Sequence, residues 1–225
     1  SLFRKLEAPG ALDNVPFAED KIKVLEILVN KNCPVMNTAL KNLTIKFPTF
    51  KANILGAVRK DKFTFLKKND QLLEGDKAYV VASADQLNLI LKSFGHEEKA
   101  ATKILIVGGG NIGLNLAKLL EVNFEGARVK IIEKNKERAE VLATELTSSI
   151  VICGDALDEE ILKEANIEET ETILALTNDD EDNIMACVLA EKYSPNKRTI
   201  AIVNKSNYSL LQKSLNIDDL VDPRM

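Results

Sequence analysis

Three glycines stand at G-x-G-x-x-G spacing in "KILIVGGGNIG": Gly108, Gly110 and Gly113. An apolar run precedes them and an amphipathic run, "NIGLNLAKLLEVN", comes after. In that context the spacing reads as a phosphate-binding turn between a strand and a helix. Gly108 permits the tight turn out of the strand, Gly110 leaves the backbone open to a pyrophosphate, and Gly113 lets the helix pack close to the strand. The first amides of the helix, from Asn111 and Ile112, then face the phosphates with the positive end of the helix dipole behind them. A Walker-type loop is excluded, because Leu114 and Asn115 stand where it needs a Lys-Ser/Thr pair.

Such a turn calls for an acidic residue about 20 positions on, closing the second strand. Glu133, in "VKIIEKN", lies 20 residues after Gly113. A carboxylate there accepts hydrogen bonds from ribose hydroxyls and repels a 2′-phosphate, which favours NAD(H), ATP or ADP over NADP(H). Lys134 beside it softens that preference. The alternative is a solvated glutamate at a strand end. Further on, "CGDA" supplies Gly154, Asp155 and Ala156, and "LTNDDEDN" supplies Thr177 and Asn178, all expected at strand ends that line the ligand crevice. Asp155 suits either the adenine amino group or the N-cap of the helix in "LDEEILKEA". The acids Asp179 to Asp182 suit the start of a helix. Arg138 reads as a solvated helix residue, or as a side chain reaching ribose or phosphate.

The elements that must position these residues are legible as a rhythm. Residues 103–221 alternate short apolar runs ("KILIV", "RVKIIE", "SSIVIC", "ETILAL", "RTIAIV", "IDDLV") with helical patterns ("NIGLNLAKLLEVN", "KERAEVLATEL", "EEILKEAN", "DEDNIMACVLAEKY", "SNYSLLQKSL"). That is the signature of βαβ units around a parallel sheet, with right-handed crossovers placing helices on both faces. Residues 14–96 differ: strand-like "KIKVLEILV", a short helical "NTALKNL", then "NILGAVRK", "KFTFL" and "KAYVVA" set off by the turns "KD" and "EGD". A helix in "ADQLNLILKSF" closes them. The expected architecture is therefore α/β: a small α+β domain (1–96), a polar linker (97–102), and a doubly wound Rossmann-like domain (103–225).

Composition agrees with two domains. The 225 residues carry a net charge of −4, with 45% apolar and 28% charged residues. Residues 1–96 balance at +5 and residues 97–225 at −9. The basic half lacks clustered arginines and aromatics, which argues against nucleic-acid binding. No apolar run reaches the roughly 18 residues of a membrane span. Cys33, Cys153 and Cys187 are too scattered for a disulfide framework or a thiolate metal site, and Cys153 and Cys187, in the apolar settings "SIVICGD" and "NIMACVLA", are expected as buried small hydrophobes. His96, in "FGHEEKAAT", is expected in the solvated linker. The first residue is Ser rather than Met, so the chain reads as a piece of something longer.

A dehydrogenase needs a proton donor or acceptor beside its nicotinamide. The sequence offers no catalytic histidine, and its one Tyr-x-x-x-Lys pair, Tyr193 and Lys197, is interrupted by Pro195 and Asn196. No catalytic residue and no metal ligand is expected. The rivals left open are an NAD-dependent oxidoreductase and a redox-responsive repressor that uses residues 1–96 to grip DNA.

"GGGNIG", "IIEKN" with "RA" two residues on, "GDA", and above all "TNDDEDNIMAC" resemble the nucleotide-binding domain of the RCK (regulator of potassium conductance) family, closest to its TrkA-type peripheral subunits. Upstream, "PGALDNVPFAEDKIKVLEILV", "GAVRKD" and "LLEGDKAYVVAS" resemble the small C-lobe domain of the same family. The resemblance implies nucleotide-pocket roles for Gly108, Gly110, Gly113, Glu133, Asp155 and Thr177. It also implies a regulatory, non-enzymatic subunit that binds NAD(H) or ATP/ADP at the inner face of the cell membrane. Its implied partners are a potassium-translocating membrane subunit of the TrkH/TrkG kind and further copies of RCK domains. A tandem protein of this family would extend beyond both ends of the chain.

Overall fold

The computed structural model describes residues 2–96, 101–124, 126–193, 195, 197–212 and 214–224, which form two compact units, residues 1–100 and 101–225. In the first, α1 (Leu2–Glu7) leads into β1 (Ala11–Phe17) and β2 (Ile22–Leu28). A 3-10 turn (Leu40–Asn42) and α2 (Leu43–Lys46) precede β3 (Ala52–Arg59), β4 (Lys62–Phe65) and β5 (Lys77–Ser83), and α3 (Leu87–Ser93) closes the unit. The strands pair antiparallel in the order β1-β2-β5-β3-β4. Alternation in "IKVLEIL" sends Leu25 and Ile27 into a core with Val80, Leu72, Ile90 and Phe94, while Ile22 and Leu28 face out. Lys60 and Asp61 both take positive φ (51° and 59°), the backbone of a two-residue hairpin, which joins β3 to β4.

Two elements here escape a reading of the sequence: α1 and β1. β1 carries Pro16, which argues against a central strand; at the sheet edge the missing N–H costs nothing. Asp76 is fully buried and accepts from Arg59 Nε and Nη2 at 2.7 Å each and from Leu73 N at 2.9 Å. Burial opposes its ionisation, but those donors outweigh it and hold the carboxyl below its ordinary range. His96 is not a solvated linker residue. Its half-buried ring occupies the space a Cβ on Gly10 would need (2.7 Å), and its backbone N–H donates to Leu91 O at 2.9 Å. Of the expected linker, residues 97–100 lie outside the described residues. Thr102 belongs structurally to the second unit, donating its N–H to Glu171 at 2.6 Å.

The second unit runs β6 (Lys103–Val107), α4 (Asn111–Asn123), β7 (Arg128–Glu133), α5 (Lys136–Glu145), β8 (Ile150–Cys153) and α6 (Glu159–Glu164). It returns with β9 (Thr172–Ala175), α7 (Asp180–Tyr193), β10 (Arg198–Ile202) and β11 (Asp219–Val221). All six strands are parallel, in the order β11-β10-β9-β6-β7-β8, so the architecture is the expected Rossmann-like α/β sheet. The chain winds outward from β6 in one direction and then from β9 in the other. Loops leaving those two neighbouring strands part at their carboxyl ends and open a crevice there. Among the described residues, the helical pattern in "SNYSLLQKSL" yields a 3-10 helix, Ser206–Leu210, and no α-helix. Its first turn is made of Ser, Asn, Tyr and Ser, all weaker helix formers than the Ala- and Leu-rich turns of α4 and α7.

Cys187 is buried, as its apolar setting implies, and burial pushes its thiol up to about 12; Cys33 is buried as well. Cys153 is exposed, contrary to expectation. It ends β8, an edge strand, where one neighbour is missing and apolar flanks do not guarantee cover. We expect one thiol per chain to react rapidly with a disulfide reagent in the folded protein, to disappear in Cys153→Ser, and the other two to react only on unfolding.

Glu121, on α4, gathers the loop before β8. Its carboxylate accepts from the N–H groups of Thr147, Ser148 and Ser149 at 2.7–3.1 Å and from Ser149 Oγ at 2.7 Å. Burial opposes the charge, but these donors prevail and hold the group at about 2, below its usual 4.5. A depressed carboxylate stabilises the fold above its unfolded value, and that stability is lost as pH falls through the folded one. Denaturant titrations of Glu121→Gln should therefore show a loss of about 1–2 kcal/mol at pH 7, discounted for partial exposure, that shrinks from pH 4.5 towards pH 2.

Candidate functional site

The glycine turn leaves β6 at Gly108, whose φ of +99° falls in the region that favours glycine. A Cβ there would lie 2.9 Å from Thr177 N, so the turn also presses against the loop after β9. Gly113 is tighter still: its Cβ would stand 2.1 Å from Gly108 O, within the backbone of the turn itself. Gly110 differs from both. It is the N-cap of α4 at φ −63°, ψ −170°, an extended conformation open to any residue, and nothing lies within 4 Å of its would-be Cβ. The N–H groups of Gly110, Asn111 and Ile112 have no acceptor among the described residues. Bare backbone and unspent donors thus share one spot.

That spot lies in a cleft of about 580 Å³ at the carboxyl ends of the strands. Gly108, Gly110, Asn111, Ile112, Glu133, Lys134, Gly154, Asp155, Ala156, Thr177 and Asn178 all line it. Of the pocket residues expected from the sequence, only Gly113 does not, because its role is packing. Gly154 serves packing as well as lining, since a Cβ there would meet Ile161 at 2.5 Å. Leu176, Asp182, Ile202, Asn204 and Pro223 complete the far side of the cleft. Residue spacing does not reveal them, because their approach depends on β9, β10 and β11 being neighbours.

Glu133 ends β7 and faces the cleft with its carboxylate partly engaged. Oε2 accepts from Gly109 N at 2.7 Å and Oε1 from Asn135 N at 2.8 Å, which leaves each oxygen a second lone pair. Asn135 in turn N-caps α5, accepting from Arg138 N at 2.8 Å. Arg138 is neither solvated nor set in the cleft lining: its Nε donates to Gly109 O at 2.7 Å. Beyond β8, Asp155 accepts from Leu157 N at 3.0 Å and pairs with Lys134 at 2.8 Å. Lys134, and then the Leu157 N–H, hold its carboxyl below the ordinary range. The cap of α6 is Asp158, so Asp155 does not fill the capping alternative.

The acid cluster after β9 divides its labour. Asp179 accepts from Asp182 N at 2.9 Å, a capping contact at the start of α7, but its neighbours do other things. Asp180, buried, accepts from the N–H groups of Asn204 and Lys205 at 2.9–3.0 Å. Glu181 holds Lys205 at 2.7 Å and the Tyr208 hydroxyl, and Asp182 lines the cleft. The buried Asn183 accepts from Thr177 N and Oγ1 at 2.9 and 2.7 Å and donates to Thr177 O and Ile202 O at 3.0 Å each. These bonds fasten the loops after β9 and β10 to α7 and fix the far wall. Helix-cap chemistry is visible in a sequence; tethering of a second loop is not.

Glu133, Asp155 and Asp182 face Lys134 within the lining, so carboxylates outnumber cations there. An anionic ligand would have to be met by backbone N–H groups and the α4 dipole rather than by a ring of basic side chains. Tyr193 and Lys197 stand elsewhere. Lys197 precedes β10 and donates to Thr170 O, before β9, at 2.6 Å, at the amino ends of the strands and away from the cleft. Asn196, between them in sequence, lies outside the described residues. No group of three or more metal-ligating side chains occurs among the described residues, and none of their helices is long and apolar enough to cross a membrane.

Residues 104–223 match the TrkA-N domain family and residues 24–95 the TrkA-C domain family. The chain is 42% identical over 223 residues to the Trk system potassium uptake protein TrkA of Azorhizobium caulinodans, covering 99% of this chain and 48% of that protein. It is 35% identical over 221 residues to the protein of the same name from Vibrio alginolyticus, covering 98% and 47%. Among solved structures it resembles the GsuK RCK domain (TM-score 0.64, 20% identity, 98% of this chain and 47% of that one). It also resembles a GsuK channel bound to NAD (TM-score 0.63, 20% identity, 98% and 39%). The chain spans about half the length of the TrkA relatives it matches. A TrkA-C domain followed by a TrkA-N domain, over nearly its whole extent, places it: the chain belongs to the TrkA-N domain family, in the arrangement shared with the TrkA potassium uptake proteins it resembles.

Proposed function

We propose that residues 101–225 bind an adenine nucleotide, NAD(H) or ATP/ADP, in the cleft at the carboxyl ends of the strands, and that binding serves regulation rather than catalysis. The observation that carries this reading is the coincidence of open backbone at Gly110 with three unspent α4 amides and a ribose-competent Glu133 in one 580 Å³ cleft. The diphosphate lies on the amides and the ribose hydroxyls donate to the free lone pairs of Glu133. Adenine rests between Ile112 and the Asp155–Leu157 segment. The free N–H groups recognise charge through the helix dipole, and the carboxylates limit how much anionic charge the cleft accepts.

In this reading the chain is the ligand-sensing part of a regulatory subunit of a potassium-uptake system, working as a homo-oligomer on a TrkH/TrkG-like membrane subunit from the cytoplasmic side. Its similarity to Trk system potassium uptake proteins supports the potassium-uptake role, and its likeness in fold to the GsuK channel bound to NAD supports the ligand class. A regulatory ligand acts only through unequal affinity for two arrangements of the assembly; moving a 1:99 equilibrium to 99:1 takes about 5.5 kcal/mol. The oxidoreductase reading gains nothing from the cleft, where no histidine, tyrosine or cysteine occurs among the described lining residues.

Differential scanning fluorimetry with NAD, NADH, ADP and ATP should show saturable stabilisation by at least one of them; no shift with any, and no heat on titration, would refute nucleotide binding. Gly110→Val meets open space in the protein, so its melting temperature should stay within about 2 °C of the parent while nucleotide affinity falls at least about tenfold. Gly113→Ala collides with Gly108 O and should instead lower stability by about 1–3 kcal/mol in denaturant titration.

A further inference from the structure

We infer that Arg138 is a positioning residue that aims the glycine turn at phosphate, an inference that rests on the nucleotide-binding reading above. The starting point is the Gly109–Gly110 peptide. Like every described peptide bond it is not cis, so the Gly109 carbonyl and the Gly110 N–H lie in one plane and point in opposite directions. Whatever grips the carbonyl therefore sets where the N–H points. Arg138 Nε grips it at 2.7 Å from the α5 side, and Gly110, whose N–H has no acceptor among the described residues, lines the cleft. Glu133 holds the other end of the same residue, accepting from Gly109 N at 2.7 Å. Gly109 is thus clamped at both backbone groups, and it is absent from the cleft lining although Gly108 and Gly110 belong to it.

The clamp is itself locked. Asn135 ties Glu133 to the start of α5, donating to Oε1 and accepting from Arg138 N, so the carboxylate and the guanidinium are held in register by the cap of one helix. A side chain on Gly109 would break this arrangement, since its Cβ would stand 2.1 Å from Leu142 and 3.1 Å from Glu133 Oε2. A charge-assisted hydrogen bond from a guanidinium is stronger than a neutral one, which suits a turn of three successive glycines with little stiffness of its own. Arg138 Nη2 is buried with no partner among the described residues, an unspent donor that packing alone does not call for. With the carbonyl free, the peptide can rotate and turn its oxygen, a repulsive group for phosphate, into the cleft. Arg138 acts through the backbone and need not touch the ligand.

The test is amide NMR of ¹⁵N-labelled protein with Arg138→Gln and Arg138→Lys, titrated with adenosine and with ADP. In Arg138→Gln we expect the Gly109 to Ile112 resonances to broaden or shift, ADP affinity to fall about tenfold, and adenosine affinity to change less than about twofold. Arg138→Lys, which keeps a charged donor, should recover much of the ADP affinity. Equal loss of both ligands, or turn resonances identical to the parent with ADP affinity intact, would overturn the proposal. If the parent itself binds neither ligand, nucleotide binding fails, while the turn resonances of Arg138→Gln still decide whether Arg138 orients the peptide.

Discussion

The architecture of residues 101–225 depends on one close approach, the Gly113 Cα against the Gly108 carbonyl. A methyl group there would sit 2.1 Å from the oxygen, so α4 can leave β6 in a tight turn only because that position has no side chain. The approach brings the first turn of α4 over the carboxyl edge of β6, beside β9, where the winding of the sheet reverses. Everything that makes the cleft chemically useful depends on it. The unspent amides, the positive helix end and the bare Gly110 backbone are all placed by that contact.

Around this turn the molecule uses carboxylates and amides as backbone anchors. Glu133 holds the Gly109 N–H, Glu121 holds three N–H groups before β8, Asp180 holds two after β10, and Asn183 joins two loops across α7. Each replaces the water that loop N–H groups would otherwise bind, and each ties a loop to an element distant in sequence. Loops at strand ends are ordinarily the mobile parts of a doubly wound sheet. Here those that border the cleft are fastened from below, so the cleft exists before any ligand arrives and little ordering remains to oppose binding.

Residues 1–100 obey a different logic. Their antiparallel sheet buries one face against α3 and the loops, and two charged groups go into that interior with their partners. Lys23 reaches Glu7 and Asp20, and Asp76 is gripped by the Arg59 fork. Removing one partner would strand a buried charge, so each contact fixes the segments it joins. Glu7 belongs to α1 and Lys23 to β2, so this ion pair helps hold an N-terminal helix whose own sequence is too short to persist alone.

The amino-acid sequence by itself determined what periodicity and local sterics control. The parallel strands, the helices α4 and α7, the turn glycines and the acidic end of β7 are all set by residue spacing within about twenty positions. It could not expose β1 as a strand, because Pro16 is tolerable only at an edge, and being an edge is a property of the sheet. Likewise Cys153 lies among apolar residues yet is exposed, because β8 has no outer neighbour. Tertiary structure alone decided that Arg138 serves Gly109 and that Asp180 tethers the loop after β10. In each case the side chain had several partners within chemical reach. Which one it met was set by long-range pairing of strands, information that no local window of residues contains.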